Sequence, residues 1–332
     1  MTKVQRVLAI LLLILAPPAL CQAPGQVHSV DQLPGAFKSK EGLAKFREQM
    51  SGVPLPDGFG TSLPPGLGAK SIVQLVAPGK DSSLATLVGM KAWPYRTDAY
   101  IAIVCFAKDK AEYEAAKRYN AGRPSCHGPA EVHLAMLEYG TKDAAPKLIA
   151  GYGRPLDITT SWQYSKLEGP FAAECRAIVP VEYSRFDFAP FKISSTATAF
   201  GMRVGWDEGY AGGGADFQAL LLFALDGARL VNVLSEPIYY SKNIAGDWHP
   251  DGTRDHFLSE GENIVTVLPH QAGGHFELQL KTLGKKWKQV FTWDHLDGRY
   301  QPRNVNTRQK AGIKSGAPGQ PAGANCQGNE AQ

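Results

Sequence analysis

An apolar run broken by an Asp-Gly pair, "LLLFALDGARLVNVL" (220–234), restricts the folding of this chain more than any other feature. Asp-Gly tolerates the backbone angles of a tight two-residue turn, so two apolar segments on either side of it predict an antiparallel hairpin. Upstream, in "FKISSTATAFGMRVGW" (191–206), Thr196, Thr198, Phe200, Met202, Val204 and Trp206 occupy every second position, which is strand periodicity with one apolar face. Downstream, "FELQLKTLGKKWKQVFTW" (276–293) alternates Phe276, Leu278 and Leu280 with Glu277, Gln279 and Lys281, a further hairpin, and "HLDGRYQP" turns the chain again. The segments 217–234 and 287–302 share a loose apolar-Asp-Gly-Arg-apolar pattern that is too weak to define a repeat.

The first half is less regular. "AFKSKEGLAKFREQM" (36–50) predicts a helix, and the Pro- and Gly-dense "SGVPLPDGFGTSLPPGLGAK" (51–70) predicts a linker or strap without regular structure. The segments "SIVQLVAP" (71–78), "LATLVGMKAW" (84–93) and "AYIAIVCFAK" (99–108) read as strands, and "KDKAEYEAAKRYNAG" (108–122) as a helix that stops at Gly122. Past Arg303 large apolar residues almost vanish, so 303–332 is expected to be a disordered tail. The expected fold is therefore α+β and β-rich: a mostly antiparallel sheet built from hairpins with one or two packed helices. Its divisions are a leader (1–21), a helix with its linker (22–68) and a globular region (69–302), which 180/181 would split into 69–180 and 181–302.

The leader has Lys3 and Arg6 before an apolar run from Val7 to Ala16 that Pro17-Pro18 ends, which reads as a secretory signal peptide. The run is shorter than the roughly 20 residues a spanning helix needs, so no transmembrane span is expected after cleavage. A periplasmic or secreted location follows. Leu20 stands where a lipoprotein signal carries Gly, Ala or Ser, which argues against acylation of Cys21. Of the 35 basic residues Lys3 and Arg6 leave with the leader, so 33 remain against 31 acids, interspersed and without a basic block. Nucleic acid is thereby an unfavourable partner. Export makes disulfides available, and Cys105, Cys126, Cys175 and Cys326 allow three pairings. Cys105–Cys126 is favoured, tying a strand end to the loop beyond the following helix; Cys105 as a small core residue is the competing reading. Cys326 would be a mobile thiol or a tether to Cys175.

No motif names a reaction. Gly-x-Ser-x-Gly, His-Glu-x-x-His, a phosphate loop ending in Gly-Lys-Ser/Thr, and Ser-x-x-Lys are all absent. Tyr113 and Lys117 have Tyr-x-x-x-Lys spacing but no glycine fingerprint upstream, and "GYAGGGAD" (209–216) reads as a loop or bulge between strands. Five of the eight histidines lie between His249 and His295. If the residues between His270 and His275 form a hairpin loop, these two histidines would face one another and could share a zinc ion, given a third ligand. The stretch "GDWHPDGTRDH" (246–256) concentrates Asp247, Trp248, His249, Asp251, Arg254, Asp255 and His256. Asp247, Asp251 and Asp255 recur every fourth residue, which does not match a calcium loop. Asp255 and His256 would project to opposite faces of a strand. Trp248 would either present an amphipathic contact surface or, the reading favoured here, fold back as a lid on the core. Two functions remain: an exported binding protein with no cofactor, meeting an unknown protein or small-molecule ligand of the cell envelope through 247–256, or a metal-dependent hydrolase using zinc or calcium held by a His/Asp group within 247–295.

Overall fold

A computed structural model describes residues 25–128, 131–140, 145–173 and 176–303. In chain order its strands and helices begin with β1 (Gln26–Val27), α1 (Leu33–Ala36), α2 (Lys40–Ser51), α3 (Ala69–Val76), β2 (Ala85–Ala92), β3 (Ala99–Phe106) and α4 (Lys110–Tyr119). There follow β4 (Glu131–Glu138), β5 (Lys147–Gly151), β6 (Glu182–Lys192), β7 (Thr198–Tyr210) and β8 (Gly213–Asp226). The last are β9 (Arg229–Trp248), β10 (Arg254–Ala272), β11 (His275–Thr282), β12 (Lys288–Asp294) and β13 (Arg299–Pro302). The protein is strand-rich and its sheet is almost wholly antiparallel, as the hairpin signals require. Among the described residues four helices rather than one or two accompany it.

The 20-residue β9 is the hub. It pairs with β8 from Asn243 down to Arg229, with β10 from Trp248 to Tyr239, and through one parallel bridge, Arg229 to Gly151, with β5. The β8–β9 turn falls at Gly227-Ala228, since Asp226 pairs with Arg229. The β10 strand changes partner midway: 254–262 lie against β9, and from Asn263 onward it lies against β11. That bend turns β11–β13 back over the central strands.

The central strands are consequently covered on both faces. Phe200, Met202, Val204, Phe217, Ala219, Leu221 and Phe223 pack with Ile101, Ile103, Leu134 and Met136 of β3 and β4. The alternate residues Ala199, Leu220, Leu222 and Ala224 pack with Leu278, Leu280, Phe291 and Tyr300 from β11–β13. The uninterrupted apolar run 219–224 is the sequence signature of a strand buried on two faces. One-face alternation in 196–206 is thus corrected to burial of both faces, and Ser194–Ala197 form a turn before β7.

The segment 71–78, expected as a strand, is helical as far as Val76. Ile72, Val73, Val76 and Ala77 fall on one helical face, packed on Ala102, Val104 and Leu137 of β3 and β4. So short an apolar run fits either period, and burial against a sheet decides it. The α2 helix begins where Ser39 Oγ accepts from the Glu41 and Gly42 amides, and α4 where Asp109 Oδ1 accepts from Glu112 N, the capping that both sequences call for. The Pro/Gly stretch after α2 is a strap joining two sheet edges: Gly58 O accepts from Phe186 N and Gly60 O from Met90 N. Gly58 is obligatory there, because a Cβ would lie 2.2 Å from Ser184 O. Among the described residues no helix is long and apolar enough to cross a membrane. The leader, Cys21, Cys175, Cys326 and the expected tail from 304 on lie outside the described residues.

Cys105 of β3 and Cys126 are disulfide-bonded, with Cα atoms 5.6 Å apart, so the favoured pairing is the observed one. Closing 21 residues of chain removes unfolded-state entropy worth about 3 kcal/mol. Cys105→Ser/Cys126→Ser protein is expected to unfold at lower denaturant than wild type by that amount, and reductant should shift wild type alone. Equal midpoints for the two proteins would contradict this.

Candidate functional site at the tip of the long hairpin

The β9–β10 hairpin ends in a turn built by local hydrogen bonds. His249 N donates to Thr253 O at 2.8 Å and Gly252 N to His249 O at 3.0 Å, with Gly252 at φ 83°. The Asp251 carboxylate accepts from Thr253 N (2.9 Å) and Thr253 Oγ1 (2.7 Å). Asp251 therefore serves the turn, and it is not among the three groups that meet at Asp255. Asp247 is exposed beside it.

Trp248 is 69 % exposed, which corrects the expectation of a lid on the core. Its indole is braced from one side by Arg254, whose guanidinium carbon lies 5.2 Å from the ring centroid while Nε donates to Gly246 O at 2.7 Å. Gly212, in the β7–β8 turn at φ 84°, makes room for this arginine, since a Cβ there would lie 2.7 Å from Arg254 Nη1. The glycine-rich stretch thus serves close approach of backbone and side chain at a hairpin turn.

Asp255 and His256 are separated by strand geometry. His256 is buried, its Nδ1 3.2 Å from Asn243 Oδ1, and burial first and Arg254 second push its pKa down. Asp255 faces the other way and meets two imidazoles. Its Oδ1 lies 2.8 Å from His28 Nδ1 and 3.0 Å from His249 Nε2, and the two rings are 5.6 Å apart at 74°. Gln26 Nε2 donates to Oδ2 at 3.4 Å. The bonds from His249 and then His28 hold the Asp255 carboxyl below its ordinary range. An ionised carboxylate only accepts, so both ring nitrogens carry the proton: His28 on Nδ1 and His249 on Nε2. These three ligand atoms lie within 4.8 Å of one another, the one such His/Cys/Asp/Glu group among the described residues.

His28 was invisible to local reading, because it lies 227 residues from Asp255 in sequence. It arrives through β1, where Gln26 pairs with Phe257 and Val27 with His256. Gly25 fixes the approach: its φ is 88°, its carbonyl accepts from Leu258 N at 2.8 Å, and a Cβ would lie 2.2 Å from Leu258 O.

His270 and His275 do not face each other. The turn is Gly273-Gly274, so His275 pairs with Ala272, and an irregularity between Val267 and Gln271 displaces His270 further. His275 is stacked on Trp293 at 4.0 Å, with His295 edge-on at 5.9 Å. Tyr113 and Lys117 lie on α4 as expected.

A second polar region had no local signal. On β8, Asp216 and Gln218 share the face of Leu220 and Leu222, but here α2 covers the sheet in place of β11–β13. Lys45 of α2 reaches Glu182 with Nζ 2.9 Å from Oε2, and Glu41 accepts from Arg203 at 2.7 Å and Arg185 at 2.9 Å. A cavity of about 650 Å³ lies between α2 and the sheet, lined in part by Lys45, Glu182, Gln218 and Glu262. Asp216 Oδ2 and Gln218 Oε1 are buried without a hydrogen-bond partner. Burial, opposed by Lys45, pushes the Asp216 carboxyl up to about 7.

Asp216 therefore keeps its proton in the folded chain across a range where the unfolded chain has lost it. Stability then falls as pH rises from about 4 to about 7 and stays lower above. Glu236, which burial raises to about 8, adds in the same direction. Asp216→Asn should flatten the slope between pH 5 and 8 and be relatively more stable than wild type at pH 8, by denaturant unfolding at both values; an unchanged slope would contradict the assignment. The chain matches no protein-family model, no curated protein and no solved structure.

Proposed function

We propose that this chain is an exported binding protein that meets a protein or small-molecule partner of the cell envelope through the tip of the β9–β10 hairpin. The observation that supports it is Trp248, a large indole 69 % exposed and braced by Arg254 on a turn tied by its own hydrogen bonds. An exposed aromatic of this kind carries an unfavourable hydration cost when free and supplies rigid, amphipathic area on binding. Asp247 beside it and Arg254 beneath it give the surface both signs of charge. The leader at 1–21 supports export, and the Cys105–Cys126 bond is in keeping with an oxidising compartment. A metal-dependent hydrolase would draw three ligands from His249, Asp251, Asp255, His256, His270, His275 and His295, whereas no three of these converge: the one group of three among the described residues joins His249 and Asp255 to His28.

Fractionation and an envelope pull-down test the reading together. The mature chain should leave the cytoplasm with the leader removed, and a partner retained by wild type should bind Trp248→Ala at least about tenfold more weakly, the scale of an aromatic anchor. A chain that stays in the cytoplasm with its leader, or a Trp248→Ala variant that retains the same partner equally well, would overturn it.

A further inference from the structure

We infer that His28 Nδ1, His249 Nε2 and Asp255 Oδ1 form a three-ligand site for a borderline divalent ion of the zinc class. This goes beyond the binding reading and does not depend on it. Two imidazole nitrogens and one carboxylate oxygen are the ligand types zinc takes, and catalytic and exchange-active zinc sites have three protein ligands, with water or an exogenous group as the fourth. Tetrahedral zinc with bonds of about 2.0–2.1 Å sets its ligand atoms about 3.3 Å apart. The two contacts to Asp255 Oδ1, at 2.8 and 3.0 Å, are within about half an ångström of that, and the three ligand atoms all lie within 4.8 Å of one another.

The surroundings are organised for the same end. Each donor sits on hydrogen-bonded backbone: His28 just beyond β1, which pairs with His256 and Phe257, His249 in the tip turn, Asp255 in the irregularity of register between Arg254 and His256. Gln26 engages Oδ2, which leaves Oδ1 to coordinate and gives the carboxylate an outer partner. Calcium and magnesium want oxygen ligands in greater number, and Asp251, the nearest further carboxylate in the turn, is bonded to Thr253.

Zinc binding replaces the two N–H···Oδ1 bonds. With neutral rings no proton is lost overall: the His28 proton moves from Nδ1 to Nε2 and the His249 proton from Nε2 to Nδ1, each lone pair so freed binding the ion. The site joins the two-residue β1 to the tip, so the ion acts as a staple on the start of the described chain. It also places an exchangeable coordination position one residue from Trp248.

The test is calorimetric titration of the full chain, freed of metal by chelator, with Zn2+, and with Ca2+ and Mg2+ as comparison ions. We expect one zinc per chain, no saturable calcium or magnesium, and a loss of zinc affinity of about 100-fold in His28→Gln, His249→Gln or Asp255→Asn, with His275→Gln unchanged. Cobalt(II)-loaded wild type serves as a readout that no misfolded variant can blur: it should show paramagnetically shifted N–H signals from two imidazoles, one on Nε2 and one on Nδ1. Zinc bound only adventitiously, its affinity unchanged by His28→Gln or abolished by His275→Gln, would overturn the assignment, as would the absence of saturable zinc binding or a cobalt spectrum without two coordinated imidazoles.

Discussion

The ladder that runs from β8 through β9 to β10 fixes nearly everything else in this protein. Side chains alternate across a strand, so the register of these three strands decides which residue reaches which layer. Asp226 opposite Arg229 starts the β8–β9 register, and Trp248 opposite Arg254 ends the β9–β10 register. Between them, a strand of 20 residues, with register shifts opposite Gln218/Ala219 and Leu222/Phe223, runs from the core to a solvent-facing turn. A slip of one residue would carry Asp216 and Gln218 into the apolar layer against β3 and β4, and turn Phe217 towards α2 and Phe223 towards β11–β13.

One face of this ladder changes its cover along its length. Around Leu220 and Leu222 it meets β11–β13 and is apolar; around Asp216 and Gln218 it meets α2 and is polar. The polar part is held by ion pairs that are partly shielded from water, Lys45 with Glu182 and Arg203 with Glu41 and Asp187. Burial works against the Lys45 charge, yet Glu182, Asp216 and Glu48 more than offset it and hold the ammonium protonated. Removing either member of such a pair leaves an uncompensated charge, so α2 is bound to its seat by specificity as much as by apolar area. Tyr239 and Glu260 approach so closely that residue 42 has no space for a Cβ, which is why a helix interior carries Gly42.

The hairpins from 196 onward, the helices at 40–51 and 110–119 and the Cys105–Cys126 bond were legible in the sequence, because turn residues, caps and spacing are local signals. The helix at 69–76 was misread: a short apolar run has no period of its own until Ile72 and Val73 meet β3 and β4. Burial of both faces of β8 hid the alternation that its neighbours show. At the candidate site, Trp248, His249 and Asp255 stood out through composition, but His28 could not, since only the pairing of Gln26 and Val27 with β10 brings it there. The expected facing of His270 and His275 failed over turn length, because Gly273-Gly274 make the turn and shift the register.

At the tip meet a register carried from the core, a turn tied by Asp251, and a carboxylate shared by His249 of the hairpin itself and His28 from the start of the described chain. The claim that His28, Asp255 and His249 meet is tested most directly by nitrogen-15 NMR of the histidine side chains in the metal-free protein. The account predicts opposite tautomers, His28 protonated on Nδ1 and His249 on Nε2, both lost as preferences in Asp255→Asn. Two rings with the same tautomer preference as a free imidazole, unaffected by that substitution, would contradict it.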